Sequence, residues 1–375
     1  MTRGRHQRRA SGGRAARVVT ALIVAALALV AGAATFGGSR WPGVSSGSPP
    51  DVGRATTAPT TAAPTTTVGP PPGAAGATLT PIPASGTKLL FGMGTEADNA
   101  IGHKLVTQAP VRMLTSWYNG PGDLSWMTGW RTGTVPRSYG RGYALHLIVF
   151  NDGPEGPVDT KYGPACGRAY PLASRFAADM TRLAKTFAGA RGGPPLYVTL
   201  FTEFQTYPCA DNAWRADGET TNYYRALIDQ YRAALRIFHQ HAPNARVSLG
   251  WGGWQALYDD PSRGGGLSLF DYFAQVLRES DFQSFQAMDP RSNVRTIRTM
   301  VRELGAYGPV MVAHLQNDSA HYGADVREVL DPGFLREMIS EGLFAVSFMD
   351  DKRMLADPDT FAFVRDAVRR HGRDP

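Results

Sequence analysis

The chain has 375 residues, which is enough for one large domain or two small ones. Its net charge of +7 comes from residues 1–86, which contain eight Arg, no Lys and a single acidic residue, Asp51. Residues 87–375 carry 31 basic and 31 acidic side chains. A neutral domain lacks the basic face that binding to nucleic acid requires, so we expect no nucleic-acid partner.

The N-terminal segment has the features of an export signal. Six Arg within residues 1–17 precede an apolar run from Val18 to about Ala34. The basic end stays in the cytoplasm, and Ala31-Gly32-Ala33 fits a small-x-small cleavage site. Residues 1–36 are therefore predicted to be either a signal peptide or a signal anchor. In both cases the following domain is secreted or anchored to the outer face of the cytoplasmic membrane.

Residues 37–86 are rich in Pro, Thr, Ala, Gly and Ser. Such a segment has too little apolar bulk to offset the entropy lost on ordering, which predicts a disordered linker. One folded domain is then expected over residues 87–375. We expect it to be a monomer that meets the membrane only through the N-terminal segment.

Eight short apolar runs in this domain are typical of buried strands, and the segments between them favour helices. Alternating units of this kind predict an α/β fold, a (β/α)8 barrel. The predicted strands are Leu89–Met93, Val111–Ser116, Tyr143–Phe150, Leu196–Phe201, Arg246–Trp251, Phe282–Met288, Val310–Leu315 and Phe344–Met349.

Amphipathic spacing predicts helices within 171–188 and 219–242. Asp289-Pro290 and Asp331-Pro332 each place a capping side chain before a proline, which predicts two helix starts. Residues 120–141 have an irregular pattern and are expected to form a long loop with little regular helix.

The two cysteines, Cys166 and Cys209, follow the third and fourth predicted strands. In a barrel these loops are neighbours at the C-terminal ends of the strands. An even pair in an exported protein favours a disulfide over two buried free thiols.

Active sites of such barrels lie at the C-terminal ends of the strands. Carboxylates, amides and indoles concentrate there in this sequence, and these are the groups that supply acid, base, hydroxyl contacts and stacking in a sugar site. The predicted substrate-binding residues are Glu96, Trp117, Tyr118, Asn119, Gln205, Trp251, Trp254, Gln286, His314, Gln316 and Asp318.

Glu203 is the strongest catalytic candidate because an apolar strand, Leu196–Thr202, delivers it to the rim of the barrel. A partly desolvated carboxyl group there could protonate a leaving oxygen. With Thr202-Glu203-Phe204 at this position, the domain resembles the large clan of (β/α)8 glycoside hydrolases that carry a catalytic acid/base Glu at the end of strand four. The alternative is a structural Glu paired with an Arg.

The resemblance also implies a nucleophilic Glu at the end of strand seven, but that strand reads Val310 to Asp318 without a Glu. The second carboxylate would then come from Asp289, Asp350, Asp318 or Glu96. Asp289 could instead only cap a helix, and Asp318 could lie in a solvated loop.

Trp251 and Trp254 lie among glycines that cannot cover them, which favours an exposed stacking platform over core packing. His146 falls inside the third strand and is interpreted as a core histidine. Residues 87–375 lack H-E-x-x-H, G-x-S-x-G and a complete G-x-G-x-x-G, so we expect no metal and no cofactor.

The resemblance therefore implies an extracytoplasmic glycoside hydrolase that acts on a polysaccharide or cell-wall glycan by carboxylate acid/base catalysis. The alternative is a non-catalytic barrel that binds carbohydrate or the cell wall.

Overall fold

The computed structural model describes residues 82, 86–151, 153–210, 217–259, 269–288, 293–316, 321–349 and 352–375. The predicted signal segment and linker lie outside the described residues, except for Ile82 and Gly86. The same holds for three residues of the predicted site, Asp289, Asp318 and Asp350.

Eight parallel strands close into a barrel in the order β1-β2-β3-β6-β7-β8-β9-β10, and β4 pairs only with β5. Each of the eight predicted strands is present within two residues of its predicted ends, so the (β/α)8 barrel is confirmed. The strands of the described residues are β1 (Leu90–Met93), β2 (Val111–Tyr118), β3 (Ala144–Val149), β4 (Glu155–Thr160), β5 (Gly163–Arg168), β6 (Leu196–Leu200), β7 (Ala245–Gly252), β8 (Gln283–Ala287), β9 (Val310–Leu315) and β10 (Leu343–Phe348).

Helices surround this barrel, and none in the described ranges is long and apolar enough to cross a membrane. They are α1 (Ala97–Ala100), α2 (Lys104–Gln108), α3 (Leu124–Met127), α4 (Thr134–Gly140), α5 (Phe176–Phe187), α6 (Gly218–His241), α7 (Gln255–Asp259), α8 (Phe270–Glu279), α9 (Asn293–Gly305), α10 (Tyr322–Val329), α11 (Pro332–Ser340), α12 (Lys352–Ala356) and α13 (Pro358–His371).

The two helices predicted from amphipathic spacing are confirmed as α5 and α6. Their buried residues include Phe176 and Phe187 of α5, and Leu227 and Phe238 of α6, on the predicted faces. The predicted start of α11 is confirmed too, because Asp331 accepts hydrogen bonds from the N–H groups of the first turn. The start predicted at Asp289-Pro290 lies outside the described residues, and α9 is described from Asn293.

The prediction of a long irregular loop over 120–141 is wrong. This segment folds into α3, α4 and two short 3₁₀ turns, Pro121–Asp123 and Thr128–Thr132. Trp130 packs edge-on against Phe187 of α5 at 6.0 Å between ring centroids. Each helical piece is too short to show a periodic apolar face, and it is this tertiary contact that holds the segment in place.

An antiparallel hairpin, β4 and β5, follows the third barrel strand and was not predicted. Its second strand carries Cys166, which forms the predicted disulfide with Cys209 across a Cα–Cα distance of 5.2 Å. The hairpin is thereby attached to the loop that follows β6.

The interior of the barrel has an apolar layer and a polar layer. Side chains near the N-terminal ends of the strands, including Leu90, Tyr197 and Met311, form an apolar cluster that Ile82 joins. Above them a belt of hydrogen bonds crosses the barrel. It runs from Ser347 to Thr115 (2.6 Å), Thr115 to His146 (3.3 Å), His146 to Thr199 (3.0 Å), Thr199 to Ser284 (3.2 Å) and Ser284 to Ser248 (2.6 Å). His146 is therefore a core histidine with a partner on each ring nitrogen, as predicted.

Candidate functional site

The chain makes a strained turn directly after β6, the fourth barrel strand. Phe201 and Glu203 have φ of 56° and 57°, and they are the only residues other than glycine with positive φ in the described ranges. A side chain in this left-handed region costs free energy, and such residues concentrate at functional sites. Packing enforces the turn: a Cβ on Gly250 of the adjacent strand would come within 2.8 Å of the Thr202 Cα.

Glu203 is held in this turn with one carboxyl oxygen enclosed. Its Oε1 is buried and accepts no hydrogen bond within the described residues. Burial raises the pKa of the Glu203 carboxyl to about 7, although the positive charge of Arg168 acts in the opposite direction. A carboxylic acid with this pKa holds its proton through mildly acidic pH and can donate it near neutrality.

Other buried polar atoms without a hydrogen-bond partner lie at the same ends of the barrel strands. In the part of the chain that the structure describes, they are Trp117 Nε1, Asn151 Nδ2, Thr202 Oγ1, Trp254 Nε1, both amide atoms of Gln286, His314 Nε2 and Gln316 Oε1. Buried polar groups in folded proteins are nearly always paired. Their concentration after six successive barrel strands indicates a surface built to bind a polar ligand.

Trp117, His314 and Gln286 line the mouth of the barrel. Trp117 follows Met113 and Thr115 on the inward face of β2, and its ring meets His314 edge-on at 5.0 Å between centroids. Gln286 is the register partner of His314. Burial lowers the pKa of His314 to about 3, so its imidazole is neutral at physiological pH and offers one donor and one acceptor. The structure thus brings these three predicted binding residues together.

Gln205 and Trp251 do not belong to the binding surface, and both predictions are corrected here. Gln205 is fully buried, and its amide exchanges two hydrogen bonds with the main chain of Gly252, at 3.0 and 3.3 Å. Trp251 is fully buried and packs against Phe204 at 4.7 Å. Its neighbouring glycines do not expose it, because Trp251 points outward into the helical layer.

Trp254 is half-buried, and its ring lies against the backbone of the neighbouring Gly252. A Cβ on Gly252 would approach the Trp254 ring to 2.2 Å, and one on Gly253 would approach the Gln286 carbonyl oxygen to 2.2 Å. The glycines therefore make room for the indole and for the neighbouring strand. Trp254 keeps the role of a predicted stacking residue, whereas Trp251 is a core residue.

The predicted residues after the first two strands are each engaged in local hydrogen bonds. Tyr118 is fully buried and its hydroxyl contacts that of Tyr170, so it presents no surface to a ligand and the prediction for it is wrong. The main-chain and side-chain N–H groups of Asn119 donate to Asp123, at 2.7 and 3.2 Å. Glu96 accepts from Asn99 at 2.6 Å, and its pKa is raised by burial and by the charges of Asp98 and Asp123.

Gln316 follows β9, where its main-chain N–H donates to the carbonyl of Ala287 at 3.0 Å. Its main-chain carbonyl accepts from Asn293 at 3.0 Å, which leaves the buried Oε1 for a ligand. Gln316 therefore extends the polar surface of Gln286 and His314 along the rim.

Asn151, Thr202 and Arg168 carry unpartnered buried polar atoms near the candidate site and were not among the predicted binding residues. Asn151 comes directly after the third predicted strand, and Thr202 directly precedes Glu203. These positions at strand ends were the sequence features from which both residues could have been predicted. Arg168 lies on the unpredicted hairpin, and its nearness to Cys166 was the only sequence feature that pointed to it. In the described ranges, no group of three His, Cys, Asp or Glu side chains could hold a metal ion.

Neither a family model nor a curated protein matches this chain. Solved structures similar to it include a GH5-4 broad specificity endoglucanase from Clostridium longisporum, 10% identical, with a TM-score of 0.46 and coverage of 76% of this chain and 95% of that one. A β-1,4-mannanase from the sea hare Aplysia kurodai is 11% identical, with a TM-score of 0.47 and coverage of 72% and 86%.

The GH53 catalytic domain of Ignisphaera aggregans is 12% identical, with a TM-score of 0.43 and coverage of 72% and 87%. At these identities and TM-scores the likeness identifies no family and assigns no activity to this chain.

Proposed function

We propose that this protein is an extracytoplasmic glycoside hydrolase that cleaves a polysaccharide, with Glu203 as its general acid. The observation that carries the proposal is the enclosed, unpartnered Oε1 of Glu203 at the C-terminal end of the fourth barrel strand. Its pKa of about 7 keeps a proton available for the leaving oxygen of a glycosidic bond.

The surrounding groups suit a sugar. The amides of Asn151, Gln286 and Gln316 can pair with vicinal hydroxyl groups, and the indoles of Trp117 and Trp254 can stack on the apolar faces of sugar rings. Their unpartnered buried atoms would be satisfied by ligand hydroxyls, which recovers the desolvation cost of leaving them unpaired. Neutral His314 adds a donor or acceptor without adding charge.

The second carboxylate is proposed to be Asp289, Asp318 or Asp350, each of which follows a barrel strand in the sequence. The end of the seventh strand itself carries His314 and Gln316 and no Glu. A separation of about 5–5.5 Å from Glu203 would give a retaining enzyme, and one of about 6.5–9.5 Å an inverting enzyme. Analysis of the product anomer by NMR distinguishes the two.

Export is supported by two features. The Arg-rich N-terminal segment and its apolar run have the pattern of a signal peptide or anchor. The Cys166–Cys209 disulfide is a bond that persists in oxidising compartments. The proposed substrate is accordingly a polysaccharide or cell-wall glycan outside the cytoplasm.

The test compares wild type, Glu203→Gln and the surface control Glu303→Gln on a panel of capsular and cell-wall glycans. We expect reducing-sugar release from wild type and from the control, and a loss of at least about 100-fold in Glu203→Gln. Binding of the same glycan should survive the substitution. Wild-type protein that binds a glycan without releasing sugar would instead be the non-catalytic carbohydrate-binding barrel.

A further inference from the structure

Arg168 is a largely buried cation that lacks a hydrogen-bonded anion. Only 14% of its side chain is exposed, and its Nε and Nη1 atoms are enclosed without a hydrogen-bond partner in the described residues. Within the described residues it forms an ion pair with Glu155, whose carboxylate oxygen is 3.9 Å from Nε. This distance is too long for a hydrogen bond.

The guanidinium of Arg168 is nevertheless fixed in position. It lies over the rings of Phe150 and Tyr207, at 5.4 and 4.9 Å from their centroids. Its main-chain N–H donates to the carbonyl of Tyr207 at 2.9 Å, and its own carbonyl accepts from the hydroxyl of Tyr223 at 2.8 Å. The disulfide two residues away ties the same strand to the loop after β6. The protein thus holds a desolvated positive charge in a rigid frame.

This frame borders the candidate site. Phe150 meets the Trp117 ring at 5.9 Å between centroids, and Tyr207 ends the turn that contains Glu203. The charge of Arg168 acts on Glu203, yet the two side chains form no ion pair, so enclosed atoms on both remain unused.

Burying a charge is costly, and neither the Glu155 carboxylate nor the two aromatic rings accepts a hydrogen bond from the enclosed Nε and Nη1 of Arg168. The guanidinium fork matches a carboxylate in a bidentate geometry, which makes Arg suited to recognising such a group. Neutral sugar hydroxyls would satisfy the N–H groups but would bring no negative charge to them. The enclosed N–H groups and the positive charge of Arg168 together favour an anionic ligand.

We propose that Arg168 binds a carboxylate substituent of the glycan whose glycosidic bond lies at Glu203, so that the substrate is an acidic, uronate-containing polysaccharide. This inference rests on the proposed glycoside hydrolase function. It has a mechanistic consequence as well. A substrate carboxylate neutralises Arg168, which removes the influence that lowers the pKa of Glu203 and so helps the general acid keep its proton.

The test uses matched ligands that differ only in charge. Oligosaccharides of glucuronate and of galacturonate are compared with their carboxyl-reduced forms, and sulfated cello-oligosaccharides provide a second anion. Calorimetric titration into full-length protein carrying Glu203→Gln measures binding without turnover. We expect at least one uronate oligosaccharide to bind about 30-fold or more tightly than its reduced form. Equal affinities, or a preference for the sulfated ligand over both uronates, would overturn the carboxylate assignment.

Substitution of Arg168 separates recognition from structure. Arg168→Gln should remove the preference for the uronate while leaving the affinity for the reduced form within about 3-fold, whereas the surface control Arg302→Gln should retain the preference. Arg168→Met should melt at the same temperature as wild type or higher, because a buried charge without hydrogen bonds is replaced by an apolar side chain. Clear destabilisation by Arg168→Met, with the uronate preference kept in Arg168→Gln, would make Arg168 a structural residue.

The two proposals fail in different ways. Uronate-selective binding that depends on Arg168, without sugar release by wild-type protein, would refute the hydrolase and support the anion site. If neutral glycans are cleaved, and cleavage requires Glu203 but is unchanged by substitution of Arg168, the anion site is refuted and the hydrolase proposal stands.

Discussion

The main-chain N–H of Cys209 donates to the carbonyl of Cys166 at 3.1 Å, directly beside the disulfide that joins these two residues. Gly167 and Pro208 form an isolated antiparallel bridge next to it. The hairpin after the third barrel strand is therefore continued by the loop after the fourth. Because Glu203 begins that second loop, the covalent link holds the hairpin and the proposed acid in one unit.

The disulfide should stabilise the fold. It closes a separation of 43 residues, and the chain-entropy model assigns such a loop a stabilisation of about 4 kcal/mol. A Cys166→Ser/Cys209→Ser variant should melt at a lower temperature and lose more activity than its unfolded fraction explains. Thiol titration of denatured, unreduced wild-type protein is the direct measurement, and two free thiols would contradict the bridge.

The pH dependence of activity should report Glu203. Its pKa is about 7, so the proposed acid loses its proton, and kcat/KM falls, as the pH rises through that value. A profile of kcat/KM from pH 4 to 9 measures this limb. Activity that stays constant from pH 6 to 9 would show that no acid of this pKa takes part.

Glu203 should also make stability depend on pH. Its folded-state pKa is raised above its usual value of 4.5, so its contribution is most favourable below pH 4.5 and is lost as the pH rises through 7. Glu203→Gln stays neutral at all pH values. Its advantage in unfolding free energy over wild type should grow from near zero at pH 4 to at most about 3 kcal/mol at pH 8. Chemical denaturation at both pH values checks this, and Glu303→Gln should show no such trend.

His146 should make the barrel sensitive to acid. Burial, with a smaller contribution from His314, lowers the pKa of His146 to about 3, so below about pH 6.5 the unfolded chain binds a proton that the folded chain does not. Stability therefore falls as the pH drops from 6.5 towards 3, by at most about 1.4 kcal/mol per pH unit for this group.

His146→Gln should lower the unfolding free energy at neutral pH, because it disturbs the belt of hydrogen bonds inside the barrel. It should also make the unfolding free energy fall less steeply as the pH drops. His239→Gln is the matched control with the opposite sign. The hydrogen bond to Asp281 raises the pKa of His239, so its stabilising contribution is complete below about pH 6.5 and is lost only as the pH rises above that value. Its removal should therefore leave the slope between pH 4 and 6 unchanged. Urea denaturation at intervals between pH 4 and 7 measures both slopes. Equal slopes for wild type and His146→Gln would refute the buried neutral state of His146.

The two tryptophans after the fifth strand should respond differently to substitution. Trp251→Ala removes a fully buried side chain from the core and should cost about 3–5 kcal/mol in unfolding free energy. Trp254→Ala should cost less stability and weaken glycan binding more. Gly252→Ala should resemble Trp254→Ala, because its Cβ displaces that ring. Denaturation and calorimetric titration of the three variants separate these effects, and unchanged binding in Trp254→Ala would remove it from the site.

Ile82 defines how far the folded domain reaches towards the predicted linker. Its side chain is 7% exposed and packs with the apolar cluster near the N-terminal ends of the strands. A protein starting at Leu79 should be more stable than one starting at Ser85 by about 1.5–3 kcal/mol, the value of burying an isoleucine. Equal melting temperatures would show that the domain begins after Ile82.

Much of the barrel could be predicted because its signals are local. A strand buried on both faces reads as a continuous apolar run, and the helix that follows shows its own period, so the eight strands and helices α5 and α6 were predicted close to their observed bounds. Asp331-Pro332 predicted the start of α11 for the same reason, since capping involves only the first turn. Alternation of such elements then leaves a parallel barrel as the simplest closed arrangement.

The position of Glu203 at the end of the fourth strand was also set by the sequence. Its enclosed oxygen and raised pKa were decided by the tertiary structure, because burial depends on packing between elements that are distant along the chain. The same holds for Gln205, which occupies a strand end but bonds to Gly252, and for Trp251, whose flanking glycines suggested exposure.

The sequence by itself thus determined the order of the eight barrel strands, the helices α5 and α6, the pairing of the two cysteines and the strand ends that carry polar side chains. Only the tertiary structure decided which of those side chains face the barrel mouth, which are buried behind it, and that Arg168 reaches the site from a hairpin. The physical reason is that periodicity and capping act within a few residues. The direction and solvation of a side chain at a strand end depend on register, on close approaches such as that of Gly253 to Gln286, and on loops joined across the barrel rim.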